Sequence, residues 1–382
     1  MSEWPMVKLG GIARFVSGGT PDRNNKAYYL GQIPWISGAD ISDSGHVQIR
    51  RRITEEAAEQ SATSVVESGT LLLVTRTSIG KIALAPKDLA FSQDITGIFP
   101  NDAVILRKYL ESFIRSIGAE QLKTRARGVT IKGVNRKDVE ELKIPLPPLG
   151  EQKRIAEILG GVANAIHNVE QQIEAANQLE KSLFNQFRRQ YSALCSPIKN
   201  ICKVQTGATP SRKNSAYYDG GIPWVKTGEV NGGKIEETEE YITELAVQET
   251  NCRKFPIGTI LVAMYGQGAT RGKVGILNCA AATNQACAAL IALACEDQEY
   301  IFAVLRNCYD ELRNLGRGGT QPNLNLTLVK EFEIPWPEEF AREEFSQKWR
   351  ELDNLRHLLH RKLSLLQELQ KSLATRAFAG LL

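Results

Sequence analysis

The sequence predicts an α+β protein, with two similar mixed α/β domains of largely antiparallel sheet separated by a two-helix antiparallel coiled coil in a pseudo-twofold arrangement. Two observations predict this fold. Eighteen residues beginning at Gly18 return at Gly207 with 12 identical positions, at an offset of 189 residues. Each copy is followed by a segment with apolar side chains every three or four positions, which is typical of an amphipathic helix.

The duplication runs through the whole chain and is too long for a solenoid or propeller unit. Further matching segments are 68–74 with 257–263, 127–135 with 317–325, 142–147 with 332–337, and 181–183 with 371–373. The predicted divisions are a globular domain at 1–150, a helix at 151–191, a second globular domain at 192–339 and a second helix at 340–382. Two similar domains suggest a target with two similar parts.

Each predicted globular domain combines short β-type runs with helices that interrupt them. The clearest predicted strands are 70–75, 82–85, 259–263 and 274–277, and the clearest predicted helices are 106–117 and 299–315. Prolines at 145, 147 and 148 end the last strand of the first domain, and prolines at 335 and 337 end that of the second.

Each long helix carries one apolar seam, and the predicted seam positions include Leu179, Leu355 and Leu369. At 1.5 Å per residue, a helix of about 40 residues is roughly 60 Å long. Because a seam of that length must be covered, we expect the two helices to pair with each other. The order of domains and helices along the chain makes an antiparallel pair the expected arrangement. The alternative is that each helix packs only on its own domain.

The length and composition of the chain indicate a near-neutral protein of two or three domains. The 382 residues include 42% apolar residues and carry a net charge of +4. The charge is uneven, since residues 1–150 hold 20 Lys and Arg against 16 Asp and Glu, while 191–339 hold 14 against 17. The N-terminal sequence does not resemble a secretion signal, and the longest apolar run, 286–295, is half of a membrane span, so we expect a cytoplasmic protein. Seven cysteines without a Cys-x-x-Cys pair predict free thiols.

The candidate motifs for covalent chemistry or metal binding in this sequence are incomplete. The segment 266–274 resembles a phosphate-binding loop, but Gln267 and Val274 occupy positions that need glycine and Ser or Thr. His357 and His360 are spaced like metal ligands but lack a third ligand. A nuclease signature around Asp22 and Glu141 is not kept in the second copy. We therefore predict no catalytic residues, no metal site and no cofactor in this chain.

Polar, basic and aromatic loop residues remain in both copies, and these predict contact with DNA. Arg and Lys can bind guanine or phosphate, Asn and Gln can bind adenine, and nearby glycines allow close backbone approach. The candidates in the first copy are Arg23, Lys26, Arg76, Ser78, Lys81, Gln93, Arg125, Arg127, Lys132 and Asn135. The candidates in the second copy are Arg212, Lys213, Tyr265, Gln267, Arg271, Lys273, Asn284, Gln285, Arg317, Gln321 and Asn323. The alternative for any one of them is an ordinary solvated loop residue.

The repeated Tyr-Tyr and Ile-Pro-Trp groups are expected to be core and turn residues rather than contacts. They occur at Tyr28 and Trp35 in the first copy and at Tyr217 and Trp224 in the second. Scaffold residues repeat between the copies while loop residues such as Asp22 and its counterpart Ser211 differ. That pattern is expected if each half reads different bases.

The sequence closely resembles the specificity subunits of type I restriction–modification systems over its whole length. The resemblance rests on the repeated Gly-x-Thr-Pro…Ile-Pro-Trp block, on Ile-Pro-Leu-Pro-Pro-Leu-Gly-Glu-Gln-Lys-Arg-Ile at 144–155, and on Arg-Ala-Phe-Ala-Gly at 376–380. The second copy departs from the helix-entry motif at 337–345, so its junction with partner subunits is expected to differ slightly.

The resemblance implies two target-recognition domains, each reading one half of a split, asymmetric double-stranded DNA sequence. It also implies that the helix pair sets the gap between the halves. The implied partners are two modification subunits, which methylate adenine with S-adenosylmethionine, and restriction subunits, which use ATP and Mg. A free-standing sequence-specific DNA-binding protein is the main alternative. A nuclease or methyltransferase, and a related system with another effector, are further alternatives.

Overall fold

The structure, a computed structural model, describes residues 4–128, 132–266, 269–316 and 323–382. Its α-helices are α1 Glu55–Gln60, α2 Arg107–Phe113, α3 Ala119–Arg125, α4 Arg136–Glu140, α5 Leu149–Gln190, α6 Ile198–Ile201, α7 Glu244–Glu249, α8 Gln298–Asn307, α9 Tyr309–Leu315, α10 Leu326–Glu331 and α11 Glu339–Phe378. Its first ten strands are β1 Met6–Lys8, β2 Ala13–Ser17, β3 Ile33–Ile36, β4 Arg51–Ile53, β5 Val65–Val66, β6 Leu71–Val74, β7 Ile82–Leu84, β8 Leu89–Phe91, β9 Ile95–Pro100 and β10 Lys143–Pro145. The others are β11 Cys195–Pro197, β12 Cys202–Thr206, β13 Tyr218–Val225, β14 Lys234–Ile235, β15 Tyr241–Ile242, β16 Ile260–Ala263, β17 Val274–Leu277, β18 Ala282–Thr283, β19 Cys287–Ala292 and β20 Glu333–Pro335.

Contacts divide the chain into two compact units. The first unit holds the residues up to Gln172 together with Leu359–Leu382, and the second unit holds Ile173–Leu358. Helix α5 therefore begins in the first unit and ends in the second, and α11 does the reverse. Each unit contains one sheet domain and one half of each long helix.

The sheets of the two units share a common strand order, which confirms the predicted duplication, although β5 has no counterpart in the second unit and β14 has none in the first. In the first unit the strand orders are β2-β9-β6-β7, β4-β3-β8-β5 and β1-β10. In the second they are β12-β19-β16-β17-β14, β15-β13-β18 and β11-β20. Most pairs are antiparallel, as predicted, while β3-β8, β13-β18 and β14-β17 are parallel.

The repeated aromatic residues hold matching positions in the two scaffolds. Trp35 and Trp224 are buried, and each indole N–H donates to the backbone carbonyl 16 residues earlier, at 3.1 Å. Tyr109 and Tyr300 are also buried, and their hydroxyls donate to the carbonyls of Pro145 (2.8 Å) and Pro335 (2.5 Å). These bonds tie the helical part of each unit to the strand that precedes a long helix. The predicted core role of the tryptophans is confirmed.

The predicted helix at 106–117 extends further than the periodicity indicated. Helix α2 continues through a π-helical turn at Ile114–Gly118 into α3. The predicted helix at 299–315 is instead broken at Cys308 into α8 and α9. All seven cysteines are free, as predicted. None of the described helices is both long enough and apolar enough to cross a membrane.

The long helices pair with each other inside each unit and also pack on the sheet domain. In the second unit Glu180 of α5 meets Trp349 of α11, and Phe187 meets Phe345, with ring centroids 4.5 Å apart. The partner number falls as the α5 number rises, so the two segments are antiparallel there. In the first unit Ile155, Ala156 and Leu159 share one core with Ala374, Ala377 and Phe378. The predicted pairing is therefore confirmed, and the alternative that each helix packs only on its own domain is wrong.

Part of the predicted seam is wrong. Leu179, Leu355 and Leu369 are about half exposed, as are Leu358 and Leu365. A helix turns 100° per residue, so apolar residues spaced three or four positions apart form a stripe along the helix. This stripe is wider than the surface that one partner helix can bury. The four leucines of α11 lie on one side of that helix by their spacing, beside the seam, and Leu179 is exposed on α5.

A polar network lies where α5, α8 and α11 meet in the second unit. The Glu180 carboxylate accepts hydrogen bonds from Trp349 Nε1 (2.9 Å), Arg356 (2.7 Å) and Arg306 (3.3 Å). Asp353 accepts from the same two arginines, at 2.9 Å for Arg306. All four charged side chains of the network are less than one fifth exposed. The two carboxylates compensate the two guanidinium groups.

Matching helix positions in the first unit surround an open cleft of about 1350 Å³. The repeated Lys-Ser-Leu triplet aligns α5 with α11 at an offset of 190 residues. On that alignment Leu159, Ala163, Ile166 and Gln370 replace Trp349, Asp353, Arg356 and Glu180. Leu159, Ala163 and Gln370 line the cleft, together with Gly160.

Candidate nucleic-acid interface

Four loops meet at one edge of the first unit, here called the loop edge, which comprises 18–25, 75–81, 92–94 and the described residues 126–128 and 132–135. Backbone hydrogen bonds hold these loops side by side. The Gly19 N–H donates to Phe91 O at 2.9 Å, and the Thr75 N–H donates to Asp94 O at 2.8 Å. The Thr77 N–H donates to Lys132 O at 3.1 Å. Loops that are distant in sequence therefore form one surface.

The second unit has an equivalent loop edge, which comprises 207–214, 284–286 and the described residues 264–266, 269–273, 316 and 323–325. The Met264 N–H donates to Ala286 O at 2.8 Å, and the Leu324 N–H donates to Met264 O at 3.1 Å. The Cα of Gly207 lies so close to Thr283 that an added Cβ would be 1.7 Å from its carbonyl oxygen. Glycine at 207 is therefore required by the close approach of two loops.

One exposed polar residue is kept at the same place on both loop edges. Strand β3 pairs with β8 through Ile36 and Phe91, and β13 pairs with β18 through Val225 and Thr283. Two residues beyond these pairs stand Gln93 and Gln285, both exposed. The Gln285 side chain accepts a hydrogen bond from the Thr209 hydroxyl. Glutamine can bind adenine through two hydrogen bonds, so the repeated position suits base contact.

The loop 75–81 presents three predicted residues of the first unit. Arg76 is exposed, Ser78 is half-buried, and Lys81 pairs with Asp43 at 3.2 Å. Between them Thr77 has φ of 64°, which is costly for a β-branched residue. The strained backbone is held by the bond from Thr77 to the neighbouring loop.

Some predicted residues have clear structural roles. The Asn135 side chain accepts from the Asp138 N–H at 2.9 Å and caps α4, as Asn325 caps α10. Arg125 donates to the Asp138 carbonyl at 3.1 Å. Arg212 pairs with Glu240 at 2.7 Å. These contacts occupy part of the hydrogen-bonding capacity of each side chain.

The remaining predicted residues are distributed as follows. Exposed residues on the loop edges or directly beside them are Arg23, Lys26, Arg127, Lys132, Lys213, Tyr265 and Asn323. Half-buried residues there are Arg271, Lys273 and Asn284. Gln267, Arg317 and Gln321 lie outside the described residues.

Sequence reasoning missed a run of three arginines, Arg50 to Arg52, beside the first loop edge. Arg51 donates to Ser37 Oγ (2.9 Å) and Asp40 Oδ2 (3.0 Å), and its guanidinium lies 4.6 Å from the Trp35 ring. The signal was the charge run itself, which is visible in the sequence.

The arginine run lies beside the carboxyl group of Asp40, a residue whose side chain is 1% exposed. Burial alone would raise the pKa of Asp40, but hydrogen bonds from Ser37 and Arg51 outweigh it and lower the pKa. The carboxylate is therefore ionised at neutral pH and neutralises one of the three arginines.

The possible metal ligands found in the sequence do not come together. His357 lies 3.4 Å from Asp353, on the outside of the polar network. Within the described ranges, no group of three or more His, Cys, Asp and Glu side chains has the arrangement of a metal site.

Comparisons with known proteins all point to one protein family. The profile of the family described as type I restriction modification DNA specificity domain matches twice, at residues 1–178 and 195–367. The MjaIX specificity subunit of a type I restriction enzyme from Methanocaldococcus jannaschii is 24% identical over 86% of this chain and 82% of its own length. The EcoR124I/EcoR124II specificity subunit from Escherichia coli is 29% identical over 49% of this chain and 47% of its own.

Solved structures show the same fold. A type I restriction–modification S subunit from M. genitalium superposes with a TM-score of 0.65 at 16% identity, covering 99% of this chain and 96% of that one. A chain from a study of complex assembly and conformational transition of the type I system gives 0.59 at 18% identity, covering 99% and 98%. The chain therefore belongs to the type I restriction–modification DNA specificity family, and its two units carry the two copies of that family's domain.

Proposed function

We propose that this chain is the non-catalytic sequence-recognition subunit of a type I restriction–modification complex, and that each loop edge reads one half of a bipartite, asymmetric DNA target. The observation that carries this proposal is the pair of equivalent loop edges with Gln93 and Gln285 at matching positions. Two surfaces on one scaffold suit two half-sites read in one manner.

Differences between the loop edges support an asymmetric target. Arg76 in the first unit is replaced by Tyr265 in the second on the offset of 189, and Ser92 is replaced by Asn284 on the offset of 192 that the paired strands give. Arginine forks onto guanine, whereas tyrosine offers one hydroxyl and an apolar ring. A shared scaffold with different side chains can bind different bases in the same groove.

The long helices are proposed to set the gap between the half-sites and to dock the partners. Helix α5 is a single helix of 42 residues that begins in one unit and ends in the other. The exposed leucines of α11, Leu358 and Leu365 among them, form an apolar face that a partner helix could cover. The proposed partners are two modification subunits with S-adenosylmethionine, and restriction subunits with ATP and Mg, so this chain itself would need no cofactor.

Exchange of the first domain tests independent reading. Residues 1–150 would be replaced by the corresponding segment of another family member, and the full complex would be expressed in a host without its own system. Methylome sequencing should then find one half of the target changed and the other half intact. Loss or change of both halves would contradict reading by separate units.

Shortening the helix pair tests the proposed spacing role. Deleting one heptad from each helix, 166–172 and the equivalent 356–362, should shorten the gap between the methylated half-sites. A deletion in α5 alone serves as the control, because it breaks the helix pairing and should abolish methylation. An unchanged gap in the double deletion would contradict the spacing role.

The alternative is a free-standing DNA-binding protein, and the purified chain distinguishes the two. A recognition subunit should bind its target tightly only with the modification subunits present. Equally tight specific binding by the chain alone would favour the alternative.

A further inference from the structure

The arginine run of the first unit lies at the same end of its sheet as the loop edge. Strand β4 pairs antiparallel with β3, with Arg51 opposite Trp35, while β3 pairs parallel with β8. The start of β4 is therefore at the end of the sheet where β8 leads to Gln93. A Cβ built on Gly38, next to Ser37, would lie 3.8 Å from the Asp94 Cβ, in the turn that holds Gln93.

Arg50 and Arg52 remain open to solvent at this position. The Arg50 side chain is 57% exposed, contacts Gln48 and lies 3.6 Å from Asp40. Arg52 is exposed and donates one N–H to the Gln32 carbonyl at 2.9 Å. A guanidinium has five N–H donors, so both side chains keep donors for an anion. Arg51, bonded to Asp40 and stacked on Trp35, anchors the strand between them.

The second unit reverses the charge at the equivalent positions. Pro223 pairs with Tyr241 as Pro34 pairs with Arg52, so Glu239 and Glu240 stand where the first unit has Arg50 and Arg51. Arg212 and Lys226 pair with these two glutamates.

The charge of the strand end differs between the units at equivalent positions. In the first unit Asp40 and the arginines at 50–52 sum to +2. In the second unit the equivalent positions, Glu229 and 239–241, sum to −3, which Arg212 and Lys226 offset in part. The charge reversal is therefore built into one position of a shared scaffold.

We propose that Arg50 and Arg52 form a phosphate-binding surface of the first unit, flanking its base-reading loops, that the second unit lacks. The first unit then carries the larger share of the salt-dependent affinity for duplex DNA, while the second unit relies more on its loop contacts. The inference rests on the proposed function, because it adds backbone contacts to a DNA-reading edge. Each phosphate neutralised releases counterions, so its loss is visible in the salt dependence of binding.

The test compares binding of duplex DNA by the full chain with its modification subunits at 50–200 mM salt. The variant Arg50→Gln with Arg52→Gln leaves Arg51 and its fold contacts intact. Losing two phosphate contacts should make the slope of log affinity against log salt concentration less steep by about 1.8. Between 50 and 200 mM salt, the affinity of the variant should therefore fall by a factor roughly tenfold smaller than that of the wild type. The loss at low salt should be equal on target and unrelated duplexes.

Two matched variants sharpen the test. Lys87→Gln removes an exposed charge that precedes β8, at the opposite end of the same sheet, and should leave the slope unchanged. Glu239→Arg places a cation at the position equivalent to Arg50, and should steepen the slope by up to about 0.9. Unchanged thermal unfolding verifies that each variant is folded.

The outcomes separate this inference from the proposed function. An unchanged slope in the double arginine variant, with target binding intact, would overturn only the phosphate surface. A loss confined to the target duplex would also overturn it, since that result marks base reading. A wild-type complex that binds no duplex at any salt concentration would overturn the proposed function and this inference together.

Discussion

The junction of the two long helices with the sheet domain differs sharply between the units. In the second unit the junction is filled by Glu180, Trp349 and two arginines in a closed polar network. In the first unit the helix positions of Trp349, Glu180 and Arg356 hold Leu159, Gln370 and Ile166, and the first two of these line an open cleft. The same scaffold therefore accommodates a buried charged network in one unit and a cleft in the other. The surrounding strands and the hydrogen bonds from the tyrosine hydroxyls to the proline carbonyls are the same in both units.

The difference also bears on how the helices recognise each other. A buried polar residue in a helix pair fixes register and partner at some cost in stability. The second half of α5 carries Glu180, and the first half of α11 carries Trp349 and Arg356, which satisfy it. The second half of α11 carries Gln370 instead. Pairing of α11 with a second α11 would remove the Glu180 carboxylate and leave Asp353 as the acceptor for both arginines.

The largest expected effect is that of Glu180→Ala. It removes the carboxylate acceptor from Arg306, Arg356 and the Trp349 indole, all largely buried, and should lower the free energy of unfolding by about 3–5 kcal/mol. Urea unfolding of the full chain would measure it. The matched variant Gln370→Ala in the first unit should cost less than about 1 kcal/mol. Equal losses in the two variants would remove the distinction between the junctions.

Exchanging the residues at the centre of each junction should have a smaller, unequal effect. Trp349→Leu loses the indole contact with Phe302 and the bond to Glu180, and should cost about 2–4 kcal/mol. Leu159→Trp adds volume beside the cleft, and should change stability by less than about 1.5 kcal/mol. Differential scanning calorimetry would record both. A large loss for Leu159→Trp would mean that the cleft cannot accept the side chain.

Removing the repeated tyrosine hydroxyls should have equal effects, because the scaffold is shared. Tyr109→Phe and Tyr300→Phe each leave one buried proline carbonyl without its donor, at a cost of about 1–2 kcal/mol. The two values should agree within about 0.5 kcal/mol by urea unfolding. A clear inequality would show that the units are not equivalent at this bond.

How far the sequence predicts this molecule depends on whether a feature is local or tertiary. The duplication, the strand at Val274–Leu277 and both long helices follow from repeated segments and periodicity. The role of Asn135 as a helix cap is also readable, since Asn and Asp three residues apart form a capping box.

Features that depend on neighbours distant in sequence could not be predicted. The polar network joins Glu180 to residues more than a hundred positions away in the sequence. From the sequence alone, a glutamate on an amphipathic helix is predicted to be exposed to solvent. Leu179, Leu355 and Leu369 fit the seam by spacing but lie outside it. The loop edges depend on backbone hydrogen bonds between four separate loops. The residue types in these loops are visible in the sequence, but which loops lie side by side is not.

The smallest expected effect concerns acid stability of the first unit. The lowered pKa of Asp40 contributes stability that is complete above its ordinary value of 3.8 and is lost as pH falls through the lower folded value. Asp40→Asn should therefore be less stable than wild type above pH 4, with the difference shrinking at lower pH. Thermal unfolding between pH 2.5 and 6 (a range set by the ordinary pKa of Asp) would measure this convergence. A difference that stays constant across the range would contradict the role of the ionised carboxylate.

The proposed function requires two loop edges that read separate half-sites, and the equivalent glutamines test this requirement most directly. The full complex carrying Gln93→Ala or Gln285→Ala would be expressed, and the methylated sequences mapped across the host genome. We predict a wild-type target of two specified parts with an unspecified gap, with each variant relaxing base choice in one part and a different part for each glutamine. A contiguous target, or relaxation of the same part by both variants, would contradict the account.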